Sequence, residues 1–523
     1  MHVLARGESF ALPASHRLDL PAMSTAGCSD TLFVVRNFKS FGLAGALRFR
    51  LDDDDLPIVL LLVAMAALAC LTPAQNDTWW HLRSGREILE SRSFLTSERF
   101  SHSSFGTELQ IHWWLSQIIF YVAFMLGGPV LLTLLCGAFA FGAVYGAWRL
   151  APGIFETRII LLLFLMIATA PGWAVRPQVF SMALFTLMLH LIVRDRMAWL
   201  PVVCLVWANV HAVVVLGLIV VGVVVFEALV WSRARLARDG TVLALCLLAP
   251  MVSPLGWHYW PRIISAVAIS RELDLQEYRV PFELVDLPFW MMVVAICIAT
   301  FLRRHSLNAL SRSDRILLLS SGVLGLACLG AARNIAFFAL VAAPAVAALL
   351  PESNRTSRRR AAAWPAYAMV VAAIASAALA VSWRWQDGGQ QLGWRPLASG
   401  VLEAVRECGD PIFNPMEAGG PLMWSLPDRR VFVDSRIDAY PTDLLARSRG
   451  ADVFGDYQGL FREFKFNCAL VKTTSLMRDR LSIDSSMRLV YTEPEYTVFV
   501  STRTESAVVK GRFERRSPGA VSQ

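Results

Sequence analysis

The sequence predicts an α-helical polytopic membrane protein, of about eleven transmembrane helices, that carries a small C-terminal α/β domain. Three observations point there. The 523 residues are 55% hydrophobic and only 17% charged, with a mean hydropathy of +0.49, whereas a soluble chain carries about a quarter charged residues. Apolar runs long enough to cross a bilayer recur from residue 56 to residue 383, as buried strands do not. Past Trp383 the apolar runs shorten to β-type segments and the charges come close to balance, the pattern of a small α/β unit.

Residues 1–55 are polar, bear Pro, Ser and Gly, and contain no uninterrupted apolar core. They read as a disordered cytoplasmic leader, or as sequence upstream of a later start, rather than a cleavable signal peptide. Arg48 and Arg50 precede Asp52 to Asp55, and because acidic residues weigh little in orientation the arginines place the N-terminus in the cytoplasm. The membrane domain then covers 56–383. Its first span runs from Leu56 to Ala74, and its first outer loop is 75–114. Further spans are expected at 128–149, 156–172, 177–193, 197–209, 211–231, 241–254, 287–302, 315–332, 334–350 and 364–383. The apolar stretch 113–127 is short for a span and is read as a helix lying at the interface.

Arginines gather in alternate loops: Arg149 and Arg158, Arg194 and Arg196, Arg233 to Arg238, Arg303 to Arg315, and Arg355 to Arg360. This positive-inside pattern accounts for the net charge of +8 without a polyanion, so nucleic acid is not an expected partner. The loop 255–286, on the other side, mixes both signs. Parity puts the domain at 384–503 outside the cytoplasm. Strands are expected at 411–413, 430–433, 469–471 and 496–500, with helices at 396–407 and 442–465, before a polar, basic, disordered tail at 504–523. The nine cysteines stand singly, and those in apolar runs read as small packing residues. Cys408 and Cys468 fall in the C-terminal domain, where a disulfide is an option.

On this topology the ends of several spans meet at the outer surface. The first loop brings Asp77, His81 and His112, with Trp79, Trp80, Trp113 and Trp114. Arg176-Pro177-Gln178 opens one span, Asn209-Val210-His211 separates two, His258 follows another, and Arg333-Asn334 begins the next. Each has a bland reading: snorkelling arginines, satisfied histidines, an interfacial belt of tryptophans. Their gathering on one side favours a site, because ionisable groups near a membrane tend to mark function. No cluster has metal-ligand spacing. A divalent metal held by Asp77 and a histidine is an option with few ligands, so no cofactor is assigned.

Asp77-Thr78-Trp79-Trp80-His81-Leu82 with Gly85 and Ile88, then Phe100-Ser101, Gly106 and Trp113-Trp114-Leu115, resemble the polytopic glycosyltransferases of the GT-C fold, of the protein mannosyltransferase and aminoarabinose transferase kind. Arg176-Pro177-Gln178, Asn209-Val210-His211 and Arg333-Asn334 resemble further blocks of that family. Gly419-Gly420-Pro421-Leu422 and Val431 to Tyr440 resemble its uncharacterised bacterial branch, with Ser435 standing where a Gly is expected and His112 where an acidic residue is common. The resemblance covers about residues 56–350 and 396–500. It implies a multi-pass enzyme of a bacterial inner membrane that moves a sugar from a polyprenyl phosphate to a glycan, lipid or protein acceptor outside the cytoplasm.

In that reaction a base takes the proton of the acceptor hydroxyl, and donors stabilise the departing phosphate. The resemblance gives the first role to Asp77, assisted by His81 or His112. Arg176, Arg333, His211 and His258 are candidates for the phosphate, and Gln178 and Asn209 for sugar hydroxyls. Asp434, Arg436 and Asp438, alternating along one strand face, would hold an acceptor or form a structural ion-pair network. Two other classes remain open. A lipid-linked-sugar transporter would use mid-span ionisable groups, for which only Glu227 and His190 offer themselves. A non-catalytic envelope protein with a binding ectodomain would not need Asp77.

Overall fold

The computed structural model describes residues 55–109, 113–273, 276–350 and 364–502. The expected leader and tail, the arginines between 355 and 360, and His112 lie outside these residues. The first helices are α1 (Leu56–Ala69), α2 (Asn76–Ser91), α3 (Trp114–Arg149), α4 (Phe155–Thr169), α5 (Gln178–Val193), α6 (Leu200–Val210) and α7 (Val214–Val230). They are followed by α8 (Leu236–Leu248), α9 (Tyr259–Glu272), α10 (Leu287–Leu302), α11 (Arg312–Leu329), α12 (Ile335–Leu349) and α13 (Trp364–Trp385). Pro57 and Pro288 sit in the first turns of α1 and α10, where the missing N–H costs nothing.

The span count is lower than the eleven expected. Among the described residues five helices are long and apolar enough to cross a membrane: Trp114–Arg149, Phe155–Gly172, Leu284–Leu302, Ala332–Leu349 and Trp364–Trp385. A sixth arises if Arg233–Met251 and Gly256–Glu272, bent by 110°, form one broken span. Four further apolar helices, Leu56–Ala69, Gln178–Val193, Met197–Val210 and Val214–Val230, are shorter. A helix rises 1.5 Å per residue, so these cover less than the ~30 Å hydrocarbon core; runs that read as full spans end early in turns. The mixed-charge loop 255–286 likewise contains a helix, α9. The boundary expected at 127/128 is present as a break within α3, where Gly128 has φ +61 and Pro129 follows, a conformation suited to glycine.

Helix α12 is buried along nearly all its length and forms the centre of the bundle, whereas α13 buries only Ala366. Large apolar side chains such as Leu126, Leu302, Val371 and Leu379 stand exposed, a surface of the kind that lipid or another apolar partner covers. The end of the bundle away from Asp77 is tied by charge. Glu227, fully buried, accepts from Arg312 and Arg315 at 2.8 and 2.7 Å, and buried Asp239 pairs with Arg312 and Arg238. Asp195 pairs with Arg235 and Arg238. Each buried carboxylate is neutralised, as burial requires.

The C-terminal part comprises α14 (Ser399–Glu407), β1 (Ile412–Phe413), α15 (Met416–Ser425), α16 (Thr442–Phe454), α17 (Gln458–Phe464), β2 (Cys468–Lys472), α18 (Leu476–Ile483), β3 (Met487–Thr492) and β4 (Tyr496–Ser501). The sheet order is β1-β2-β4-β3, parallel between β1 and β2 and antiparallel elsewhere. Its side chains alternate. Leu470 and Val498 face one apolar cluster, with Val401, Val405 and Leu422, and Ala469, Val471 and Phe499 face another, with Leu445, Leu460 and Met477. The segment expected as a strand at 430–433 joins no ladder; Val431 forms one parallel bridge with Ser101. The strand β3, which is not among those expected, is partly exposed and carries only the short apolar run Leu489-Val490-Tyr491.

Cys408 and Cys468 form a disulfide, with Cα atoms 5.4 Å apart, that ties the end of α14 to β2. Cys468→Ala is expected to lower the unfolding free energy of this layer by about 2–4 kcal/mol. Reductant should lower the melting temperature of the native protein and leave that of the variant unchanged.

Candidate active site

The first part of the stretch read as the first outer loop folds into α2, a helix with a buried face of Thr78, Trp79, Trp80, His81, Leu82, Ser84, Gly85 and Ile88. Its start is fixed by a reciprocal cap: the Gln75 backbone N–H donates to Thr78 Oγ1 at 2.9 Å, and Gln75 closes the capping box from its side. Thr78 Oγ1 in turn donates to the Val175 carbonyl at 2.7 Å, and the Val175 N–H donates to the Pro73 carbonyl at 2.8 Å. These bonds bring Asp77, in the first turn of α2, beside Arg176. An acid there also meets the positive end of the helix dipole. Close packing holds the rest of α2. A Cβ on Gly85 would lie 2.1 Å from the Gln117 carbonyl oxygen, and one on Gly420 of α15 would lie 2.6 Å from that of Asn76.

Asp77 uses both carboxylate oxygens. Oδ2 pairs with Arg176 Nη2 at 2.7 Å. Oδ1 accepts from Ser435 Oγ at 2.5 Å and from Trp80 Nε1 at 3.3 Å, and Trp80 Nε1 also lies 3.1 Å from Ser435 Oγ. Arg176 continues to Glu277 Oε1 at 2.9 Å, and Glu277 Oε2 meets Arg333 at 3.2 Å. Arg333 donates to the Tyr278 hydroxyl at 3.1 Å. Burial works against charge on both Arg176 and Glu277. Their pairing outweighs it, lifting Arg176 further above its ordinary range and, with Arg333, holding the Glu277 carboxyl below the usual carboxylate range.

These groups line a cavity of about 480 Å³, together with His81, Gln178, His211, Arg271 and Asp438. Its apolar lining comes from Val213, Val215 and Leu216 before and on α7, Ile263, Ala266 and Val267 on α9, and Leu326 on α11. A second cavity of about 260 Å³ lies beyond the Arg176–Glu277–Arg333 chain and adds Arg279, Glu283 and Asp286. Among the described residues no three His, Cys, Asp or Glu side chains gather as a metal site.

The expected site residues divide. Asp77, His81, Arg176, Gln178, His211, Arg333 and Asp438 share the cavity. His81 is buried against the rings of Trp80, Trp113 and Phe120, and His211 Nδ1 lies 2.7 Å from Ser181 Oγ. His258 is not brought in: it is exposed at the end of the turn Gly256–His258 and lines none of these cavities. Asn209 is engaged elsewhere, accepting from Trp114 Nε1 at 2.8 Å and donating to the Leu205 carbonyl at 2.9 Å. Asp434 and Arg436 are buried in a network rather than presented to a ligand. Arg436 donates to both Asp434 oxygens at 2.8 and 2.6 Å and pairs with buried Glu98 at 2.8 Å, and the Tyr440 hydroxyl adds a 2.5 Å bond to Asp434. The ionisable groups a carrier would use are likewise occupied, Glu227 by its arginines and His190 Nε2 by the Gly146 carbonyl at 2.9 Å.

Sequence reading did not single out Glu277, Tyr278, Arg271 or Ser435 as site residues. Ser435 was marked only as a departure from glycine. The first three sit in or beside a loop of mixed charge, where nothing but the fold distinguishes them.

No family model matches the chain, and no curated protein does. It is similar to solved structures of AglB and ArnT. The archaeal oligosaccharyltransferase AglB from Archaeoglobus fulgidus, in complex with an inhibitory peptide and a dolichol-phosphate, is 11% identical. That match covers 79% of this chain and 69% of the other, with a TM-score of 0.48. The apo form of the A. fulgidus enzyme is 12% identical over the same shares, at 0.47. ArnT from Cupriavidus metallidurans, bound to undecaprenyl phosphate, is 13% identical, over 84% of this chain and 97% of the other, at 0.49. At these values the likeness assigns neither a substrate nor a catalytic residue.

Proposed function

We propose that the protein is a membrane glycosyltransferase that moves a sugar from a polyprenyl-phosphate carrier to an acceptor hydroxyl outside the cytoplasm, with Asp77 as general base. The supporting observation is one cavity lined by both charged and apolar groups. A carboxylate and guanidiniums meet there, and three helices add apolar side chains to the same lining. An ester of phosphate with a long hydrocarbon chain has a charged and an apolar part to match.

In this reading the acceptor oxygen attacks the anomeric carbon as its proton passes to Asp77. The bond from that carbon to the phosphate oxygen breaks, and the electron pair leaves on the phosphate. Arg176 and Arg333 stabilise the negative charge that develops there, planar guanidinium being suited to two phosphate oxygens at once. Gln178 and His211 face the same space and would meet sugar hydroxyls. The Cys408–Cys468 disulfide supports an extracytoplasmic C-terminal part, since disulfides persist in oxidising compartments.

The test is transfer of labelled sugar by membranes containing the protein, from a panel of polyprenyl-phosphate sugars. Transfer above that of membranes lacking the protein is the expected result. No transfer from any donor would overturn the reading. His258→Ala is expected to keep the wild-type rate within about twofold, because this side chain does not reach the cavity.

A further inference from the structure

Resting on the reading of Arg176 and Arg333 as the phosphate site, we infer that Glu277 is an internal anion standing in the phosphate's place, so that any phosphate entering must first displace it. Glu277 offers one oxygen to each arginine, Oε1 to Arg176 at 2.9 Å and Oε2 to Arg333 at 3.2 Å. Two oxygens of a phosphate would bridge the same pair. The arginines are held by the bundle: Arg333 lies in the turn Ala332–Asn334 that opens α12, and Arg176 lies beside the Thr78–Val175 bond. Glu277 is held more lightly, on the three-residue turn Gln276–Tyr278, with 38% of its side chain exposed.

The side chain has somewhere to go. It lines both the main cavity and the second one of about 260 Å³, which offers it room, although Arg279 there is already paired with Glu283 and Asp286. Charge also requires the move. Among the arginines and acids of the main cavity, Arg176, Arg271 and Arg333 face Asp77, Glu277 and Asp438. Arg271 is in no ion pair among the described residues, but Arg176 and Arg333, the two that would grip one phosphate together, are both engaged by Glu277 until it withdraws, and like charges sharing one site repel strongly.

Displacement weakens every phosphate alike. Ligands that also lay a hydrocarbon chain along Val213, Ile263 and Leu326 gain apolar burial that offsets the loss. Inorganic phosphate has no such compensation. Glu277 thereby raises the threshold for binding so that chain-bearing phosphates pass and free phosphate stays out.

The experiment measures the affinity of the purified full chain in lipid nanodiscs for two probes, inorganic phosphate and a C55 polyprenyl monophosphate. Glu277→Gln keeps the shape and removes the charge. It is expected to tighten both probes by about tenfold, or about 1.4 kcal/mol, and Glu277→Asp is expected to stay within about twofold of wild type. Tightening of inorganic phosphate alone would support the internal anion and assign the site to a free phosphate. Unchanged or weaker binding of both probes by Glu277→Gln, in protein that melts like the wild type, overturns the inference. So does the absence of binding by every variant. The readout needs no catalysis. Tighter binding without sugar transfer from any donor would uphold the displaced anion and reject the transferase reading.

Discussion

Replacing Asp77 by Asn is expected to lower sugar transfer by about 10²–10⁴-fold, the usual worth of a positioned general base, while the protein stays folded. The amide oxygen can still accept from Ser435 and Trp80, which now bond Oδ1 at 2.5 and 3.3 Å. Only the pair with Arg176 loses its charge. Arg176 keeps its pair with Glu277 at 2.9 Å, so no guanidinium is left without a partner and the loss of stability should be small. The rate would be compared in membranes matched for expression, alongside the melting temperature of each purified protein. Transfer retained in the variant would reject Asp77 as the base and leave His81, the other described candidate in the cavity, to be tested next. A fall in both rate and melting temperature would mean that Asp77 serves chiefly to hold α2 in place.

Arg436→Met is expected to destabilise the protein by about 3–5 kcal/mol, the cost of leaving a buried charge uncompensated. Glu98 and Asp434 are both fully buried, and Arg436 is the cation between them. Glu98 also accepts from the backbone N–H groups of Phe100 and Ser101, each at 2.7 Å. The network therefore binds the segment after α2 to the segment that carries Ser435. Thermal unfolding would measure the loss, and limited proteolysis would locate it. Arg436→Lys keeps the charge but not the two-pronged geometry, and should fall between the variant and the wild type. An unchanged melting temperature for Arg436→Met would exclude a structural role and return Asp434 and Arg436 to the list of ligand-binding groups.

Much of the helical architecture was legible because apolar runs report their own environment. The break in α3 was legible too, since Gly127, Gly128 and Pro129 announce it. Span number was not. Hydropathy reports whether a run is apolar but not where its helix ends, and α6 and α7 stop after 11 and 17 residues. Helix α2 was hidden for a related reason. Its tryptophans and histidine look like an interfacial loop until α3, with Trp113 before it, and α15 are present to cover them. Of the site, Asp77, Arg176 and Arg333 could be nominated as charges at span ends. Asn209 belongs to Trp114, 95 residues away, and no local pattern encodes that pairing. Nor does one mark Glu277 among the other acids of its loop.

The segment that delivers Ser435 also sets a timetable. Val431 is held between the Phe100 carbonyl, to which its N–H donates at 2.9 Å, and the His102 N–H, also at 2.9 Å. Asn414 holds the next two residues, accepting from the Phe432 N–H at 2.8 Å and donating to the Val433 carbonyl at 2.7 Å. The chain must therefore be made well past α13 before the roof over Asp77 can close. A nascent protein whose membrane helices are all in place still has an open site, lacking Ser435, Ile437 and Asp438 from the cavity wall. Competence for the proposed chemistry would appear late and abruptly during biogenesis, when the last part of the chain folds back onto the first helix after α1.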